Sequence, residues 1–86
     1  MNTTIISCEP VTPWSWAVYL SVCVEGQVTR GHVSVVRVAG EYYPRTTCRS
    51  DPTGSGFPPA LVEQWGEQIV AAACQAAKEK ARQCNF

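Results

Sequence analysis

The chain has 86 residues, enough for one hydrophobic core and too few for two separate ones. Hydrophobic residues make up 45% of it and charged residues 16%, a balance that excludes an intrinsically disordered chain. Seven basic and seven acidic side chains cancel, so no overall field attracts the protein to nucleic acid or to an anionic membrane.

The amino-terminal segment, MNTTIISCEPVTPW, has neither a basic region nor an apolar core, so we expect no secretory signal. Residues 3–7 are a short β-prone run that can add a strand, although Pro10 and Pro13 separate it from the next predicted strand. The longest apolar stretch, residues 14–24, falls far short of the ~20 residues that a membrane-spanning helix needs. We therefore expect a cytoplasmic protein with no membrane partner.

Residues 14–25 alternate between large apolar side chains and smaller or polar ones. Period-2 alternation with aromatic and β-branched residues predicts a half-buried strand. The segment Glu25-Gly26-Gln27 then offers a tight reversal, because Gly26 can adopt a positive φ. The large apolar residues on the expected core face are Trp14, Trp16, Val18, Leu20, Val22 and Val24.

A second long strand is predicted over residues 28–38, and its pattern changes phase. Val33 and Val35 point one way, whereas Val36 and Val38 point the other. Either both faces are covered there, or a bulge near residues 34–36 resets the register. Ala39-Gly40 is the next reversal, and residues 41–48 form a further strand. This strand is expected at a sheet edge, because Pro44 cannot donate to a ladder.

Residues 49–58 contain Asp51-Pro52, Gly54, Gly56 and Pro58 and are predicted to be a loop. A helix is predicted over residues 59–83, which are rich in good helix formers and begin with a proline. Gly66 interrupts that composition and is expected to mark a close approach of the helix to the sheet. The chain is thus predicted to be one α+β domain over residues 1–86. Its three- to four-stranded antiparallel meander carries one long C-terminal helix on one face.

The predicted helix is apolar on two adjacent strips. At about 100° per residue, the first strip contains Leu61, Val62, Trp65, Ile69, Ala72, Ala73 and Ala76. The second strip contains Val70, Cys74, Ala77 and Ala81. Either the ends of the sheet wrap around the helix, or the second strip meets another surface. A homodimer through the second strip is one such arrangement.

The sheet face opposite the helix is expected to carry an arginine and tyrosine surface. Arginine and tyrosine favour protein interfaces, and on an open sheet they also suit stacking and phosphate contacts with single-stranded nucleic acid. A plainly solvated face is the remaining interpretation. The aromatic consensus of RNA-recognition folds is absent, which ranks nucleic acid below a protein partner. The residues expected there are Tyr19, Arg37, Tyr43, Arg45 and Arg49.

The sequence contains little that supports catalysis or metal binding. It has one histidine, His32, and one aspartate, Asp51, and its five cysteines include no close pair of the kind zinc sites use. We expect no cofactor, no metal and mostly buried, reduced cysteines, with disulfides left open. A cysteine–histidine pair of His32 with Cys23 or Cys48 across neighbouring strands is the one catalytic alternative, and we predict that the protein is not an enzyme.

In its size, its lack of catalytic residues and its order of strand, hairpin, strand and helix, the chain resembles the small phage- or mobile-element-encoded inhibitors of bacterial defence, the anti-CRISPR type proteins. The resemblance implies a non-catalytic protein of the host cytoplasm that occupies a working surface of a protein or ribonucleoprotein complex. Near neutrality departs from the strongly acidic, DNA-mimicking members of that group.

We therefore expect a binding protein that inhibits or modulates a macromolecular partner through the tyrosine and arginine face. One alternative is a nucleic-acid-binding module, in which Tyr19 and Tyr43 stack on bases while Arg37, Arg45 and Arg49 hold phosphates. The other alternative is a homodimeric accessory protein.

Overall fold

The computed structural model describes residues 1–45 and 57–83, which form four strands followed by one helix. The strands make a single antiparallel sheet in the order β1-β2-β3-β4, and the helix packs on one of its faces. This confirms the predicted α+β meander with one C-terminal helix. The elements are β1 (Asn2–Thr12), β2 (Ser15–Val24), β3 (Gln27–Val38), β4 (Glu41–Pro44) and α1 (Pro59–Gln83).

Both central hairpins turn through two residues with positive φ. Glu25 and Gly26 connect β2 to β3, and Ala39 and Gly40 connect β3 to β4, with φ between 51° and 83° at all four positions. Positive φ at both central residues matches the right-handed twist of the flanking strands, and glycine at the second position lowers the steric cost. The two predicted reversals are confirmed.

Strand β1 is longer than predicted and pairs with β2 along almost its whole length. The expectation that prolines would separate it from the hairpin was wrong. Pro10 lies within β1, where an edge strand needs no amide hydrogen on its free side, and Pro13 lies in the turn between β1 and β2. The register shifts between Ile5 and Ser7 and again between Pro10 and Thr12. These irregularities absorb the extra residues of the longer strand.

Strand β3 keeps one continuous register with β2, from Gln27 opposite Val24 to Val36 opposite Ser15. The bulge considered near residues 34–36 is therefore absent, and the irregular register lies in β1 instead. The other alternative, that both faces of β3 are covered there, was also wrong, since Val38 is exposed. Strand β4 lies at an edge of the sheet, as Pro44 predicted. Residues 46–48 of the predicted strand and most of the predicted loop lie outside the described residues.

The core forms between α1 and one sheet face, called here the inner face. From Ile69 to Ala81 the buried positions of α1 follow steps of four residues, and each such step turns about 40° around the axis. The buried strip therefore winds around the helix, as packing on a twisted sheet requires. The buried core residues are Trp16, Val18, Leu20, Val22, Val33, Val35, Phe57, Val62, Ile69, Ala73, Ala77 and Ala81.

Of the two alternatives for the second helix strip, this winding favours the one in which the sheet of the same chain covers part of it. Ala77 and Ala81 of the second strip belong to the core, so they are not free to form a contact with a second copy. Val70 and Cys74 are half-buried beside them. A dimer through the four residues together is incompatible with this packing, because two of the four already contact the sheet of their own chain.

Phe57 closes one end of the core by lying on a glycine of the sheet. Gly31 faces Leu20 across β2 and β3, and a Cβ built on it would stand 2.8 Å from two ring carbons of Phe57. The close approach predicted at Gly66 is absent: the nearest atom to a Cβ there is Cγ1 of Val62, at 3.4 Å and on the helix itself. The glycine that permits close packing is therefore in β3.

Candidate functional site

The sheet face turned away from α1, called here the outer face, is the candidate site. It is formed by the odd-numbered residues of β2 and the even-numbered residues of β3, because alternate residues of a strand point to opposite faces. Within residues 1–45 and 57–83, no helix or strand covers this face. Tyr19 is 42% exposed and Tyr43 is 50% exposed, and Val28 and Val38 are exposed near its two ends.

Three of the five predicted site residues lie on the outer face. Tyr19 and Tyr43 occupy it in β2 and β4. Arg45 follows β4 on the same side, since its backbone N–H donates to the carbonyl oxygen of Ser34, an outer-face residue, at 2.7 Å. Arg49 lies outside the described residues.

Arg37 lies on the other side of the sheet. Directly opposed residues of antiparallel strands share a face, and Arg37 is opposite Tyr42. Tyr42 packs against the core, with its ring centroid 5.5 Å from that of Trp16. The expectation that Arg37 belongs to the exposed face was therefore wrong, because the unbroken register of β3 turns it toward the helix side.

At the centre of the outer face Tyr19 contacts His32. The two residues are directly opposed, and their ring centroids are 5.6 Å apart at an interplanar angle of 35°. Beside them is a shallow, open depression of about 620 Å³. It is lined by Ile6, Ser7, Glu9, Tyr19, Arg30, Gly31 and His32.

Glu9, Arg30 and Ile6 belong to this face but were not among the residues predicted for it. Period-2 alternation within β3 places Arg30 and His32 on one side together, and that signal was present in the sequence. The positions of Glu9 and Ile6 could not be read in the same way, because both depend on the register shifts of β1.

The charges of the outer face are balanced. Glu9, Glu41 and Arg45 each lie directly opposite an outer-face residue of a neighbouring strand, so all three belong to the outer face. Arg30 is itself an outer-face residue of β3. Two acidic and two basic side chains leave this face without net charge among the described residues. A backbone-binding groove for nucleic acid requires an excess of positive charge, so the balance favours an uncharged or mixed-charge partner.

The cysteine–histidine pair considered from the sequence does not form in β2 and β3. His32 is opposite Tyr19, whereas Cys23 is opposite Val28, which separates them by four residues or about 13 Å along the strands. Cys48 lies outside the described residues. Within the part of the chain that the structure describes, no group of three or more histidine, cysteine or acidic residues is placed to hold a metal ion.

The described thiols occupy two environments. Cys23 is a free thiol on the outer face, and Cys74 is a free thiol on α1 that packs against the core. Burial raises the pKa of the Cys74 thiol, because the thiolate is poorly solvated there. Cys8 in β1 is half-buried, as are Cys23 and Cys74, so none of the described cysteines is fully buried as expected. Cys84 lies outside the described residues.

The chain matches no protein-family model, no curated protein and no solved structure. In the described segments no helix has the length and apolar character needed to cross a membrane.

Proposed function

We propose that this protein is a small, non-catalytic binding protein whose outer face occupies a surface of a protein or ribonucleoprotein partner and so inhibits or modulates it. The observation that carries the proposal is the exposure of Tyr19 and Tyr43 on a sheet face that α1 leaves uncovered. Rigid aromatic side chains contribute much of the binding energy at protein interfaces, because they bury a large area at a low cost in side-chain entropy.

The surroundings of the two tyrosines support a protein partner. Ser15, Ala17 and Ser34 are small, half-buried residues between them, so a partner can approach the backbone of the sheet there. The adjacent depression adds a carboxylate, a guanidinium and an imidazole group at its rim. Apolar and aromatic contact area with mixed charges at the rim is typical of protein interfaces.

Binding of single-stranded nucleic acid is the weaker alternative. Its support rested on three arginines beside the two tyrosines, and Arg37 lies on the helix side while Arg49 is outside the described residues. Arg30 joins Arg45 on the outer face, but Glu9 and Glu41 offset the two positive charges. A phosphate backbone would gain little on a face with no net charge.

A cytoplasmic location is part of the proposal, the host cytoplasm if the protein is encoded by a phage. It is supported by the free thiols of Cys23 and Cys74, since a reducing compartment preserves thiols.

Site-specific photocrosslinking tests the proposed face. A benzophenone amino acid placed at Tyr19 or at Tyr43, in the cells that naturally produce the protein, should crosslink to one and the same polypeptide. The matched control carries the label at Gln75, an exposed position on the far side of α1. Addition of unlabelled protein should compete away the product from both tyrosine positions.

The product identifies which function is correct. A protease-sensitive product from both tyrosine positions, with none from Gln75, supports the proposal. A nuclease-sensitive product would support the nucleic-acid alternative. No product, or equal products from all three positions, contradicts the assignment of the outer face.

A further inference from the structure

The two edges of the sheet differ in how they are protected from further strand pairing. The β4 edge includes Pro44 and carries Glu41. Proline and charge are among the usual means of blocking an edge. The β1 edge is eleven residues long, and no other strand of the described residues pairs with its free side.

The first half of β1 has neither a proline nor a charged side chain, and its one irregularity is the register shift between Ile5 and Ser7. Residues 1–8 contain no charged side chain, and Asn2–Ile5 pairs with β2 in an unbroken register. The second half is protected by Glu9, Pro10 and the second register shift. The unprotected segment is also apolar at its end, because Ile5 is 40% exposed and Ile6 is 55% exposed.

We infer that a second copy of this chain pairs with the Asn2–Ile5 segment of β1 in an antiparallel arrangement centred on Thr4. An interface between identical copies must be complementary to itself. An uncharged segment meets this condition, because no like charges come to lie opposite one another. A pairing centred closer to the C-terminal end of β1 would bring the Glu9 side chains of the two copies toward each other. It would also include Pro10, which has no backbone N–H to donate.

The centre at Thr4 and the alternation of β1 residues between the two faces determine which residues are opposed in the dimer. Thr4 is opposite Ser21 on the outer face, and Ile5 is opposite Leu20 on the inner face. A twofold axis through Thr4, perpendicular to the sheet, places Thr4 opposite its own copy and Thr3 opposite Ile5 of the second copy. Cross-strand threonine pairs stabilise antiparallel sheets, and the exposed Ile5 becomes covered.

The resulting dimer has one continuous sheet of eight strands. Both α1 helices lie on one side of it and both outer faces lie on the other. This inference does not depend on the proposed function, but if both hold, the dimer presents two binding faces on the same side. Two linked copies of a site raise the overall affinity for a partner with repeated surfaces.

Charged substitutions of Thr4, the residue at the centre of the pairing, test the proposed dimer. Sedimentation equilibrium of the full chain, from about 1 µM to about 1 mM, covers the range in which small interfaces dissociate. Thr4→Lys and Thr4→Glu should each raise the dimer dissociation constant at least about tenfold, because two like charges then face each other. An equimolar mixture of the two variants should regain dimerisation, since opposite charges meet.

Gln75→Lys, on the exposed side of α1, is the matched control and should leave the dissociation constant unchanged. Circular dichroism of the Thr4 variants checks that they fold. A wild-type chain that stays monomeric over the whole range overturns the inference. A dimer that tolerates both Thr4 variants, or a mixture that stays monomeric, also overturns it, and would leave β1 open to a strand of another protein.

Discussion

The inner and outer faces of the sheet are built from alternating residues of the same strands, yet they meet different surroundings. Leu20 is fully buried under α1, whereas its neighbour Tyr19 is 42% exposed on the opposite side. Burying a large apolar side chain contributes about 1.5–3 kcal/mol, so the inner face carries most of the stability. Side chains of the outer face bury less apolar area and contribute less to the stability.

The largest expected effect is at the inner face. Leu20→Ala should lower the free energy of unfolding by about 2–5 kcal/mol, because it removes buried methyl groups and leaves a cavity. That loss is a large part of the stability of so small a domain. Urea denaturation followed by tryptophan fluorescence measures it.

The matched outer-face variant is Tyr19→Thr, which replaces the aromatic side chain by a β-branched one that also favours strands. It should change the free energy of unfolding by no more than about 1 kcal/mol, the span of strand propensities. Equal losses from Leu20→Ala and Tyr19→Thr would mean that the outer face is covered in the folded protein.

A smaller loss in the free energy of unfolding is expected at Gly31, where the inner face has no room for a side chain. In Gly31→Ala the new methyl group would stand 2.8 Å from the ring of Phe57, and such overpacking typically costs about 1–3 kcal/mol. Replacing Phe57 by Leu in the same chain should recover part of the loss, because a double-mutant cycle isolates the contact between the two positions.

Gly66→Ala is the control for this glycine. Its methyl group meets only Cγ1 of Val62 at an ordinary contact distance of 3.4 Å, so the better helix propensity of alanine should raise the free energy of unfolding by up to about 1 kcal/mol. Opposite signs for the two substitutions support the packing of Phe57 on β3. A gain in stability from Gly31→Ala would contradict it.

Local patterns were sufficient to predict most of the fold. The alternation of β2, the two glycine-containing turns and the helix over residues 59–83 each depend on neighbouring residues, and each is present as predicted. The inner-face residues Trp16, Val18, Leu20 and Val22 followed from the same alternation and are all buried. Trp14, expected with them, is 56% exposed because it lies in the turn before β2.

Features that depend on pairing or twist were harder to predict. The sequence Val33-Ser34-Val35-Val36-Arg37-Val38 fits either phase of a strand, and only its register with β2 and β4 turns Arg37 toward the helix side. The burial of Ala77 and Ala81 depends on how the helix crosses a twisted sheet. The length of β1 depends on bulges at an edge, where proline carries little penalty.

The smallest expected effect concerns Cys74, the thiol that packs against the core. Because only the thiolate is alkylated and burial raises the pKa of Cys74, iodoacetamide should modify it more slowly in the folded chain than in urea. Between about pH 8 and about pH 10 the unfolded thiol becomes fully ionised first, so this difference should shrink as the pH rises. The same raised pKa stabilises the folded chain below the ordinary thiol pKa, and that contribution is lost as the pH rises through the folded value. Peptide mass spectrometry follows Cys74, with Cys23 on the outer face as an internal check that the chain stays folded. An identical pH profile for Cys74 in the folded and the unfolded chain would show that this part of α1 is solvated, and that the core ends short of it.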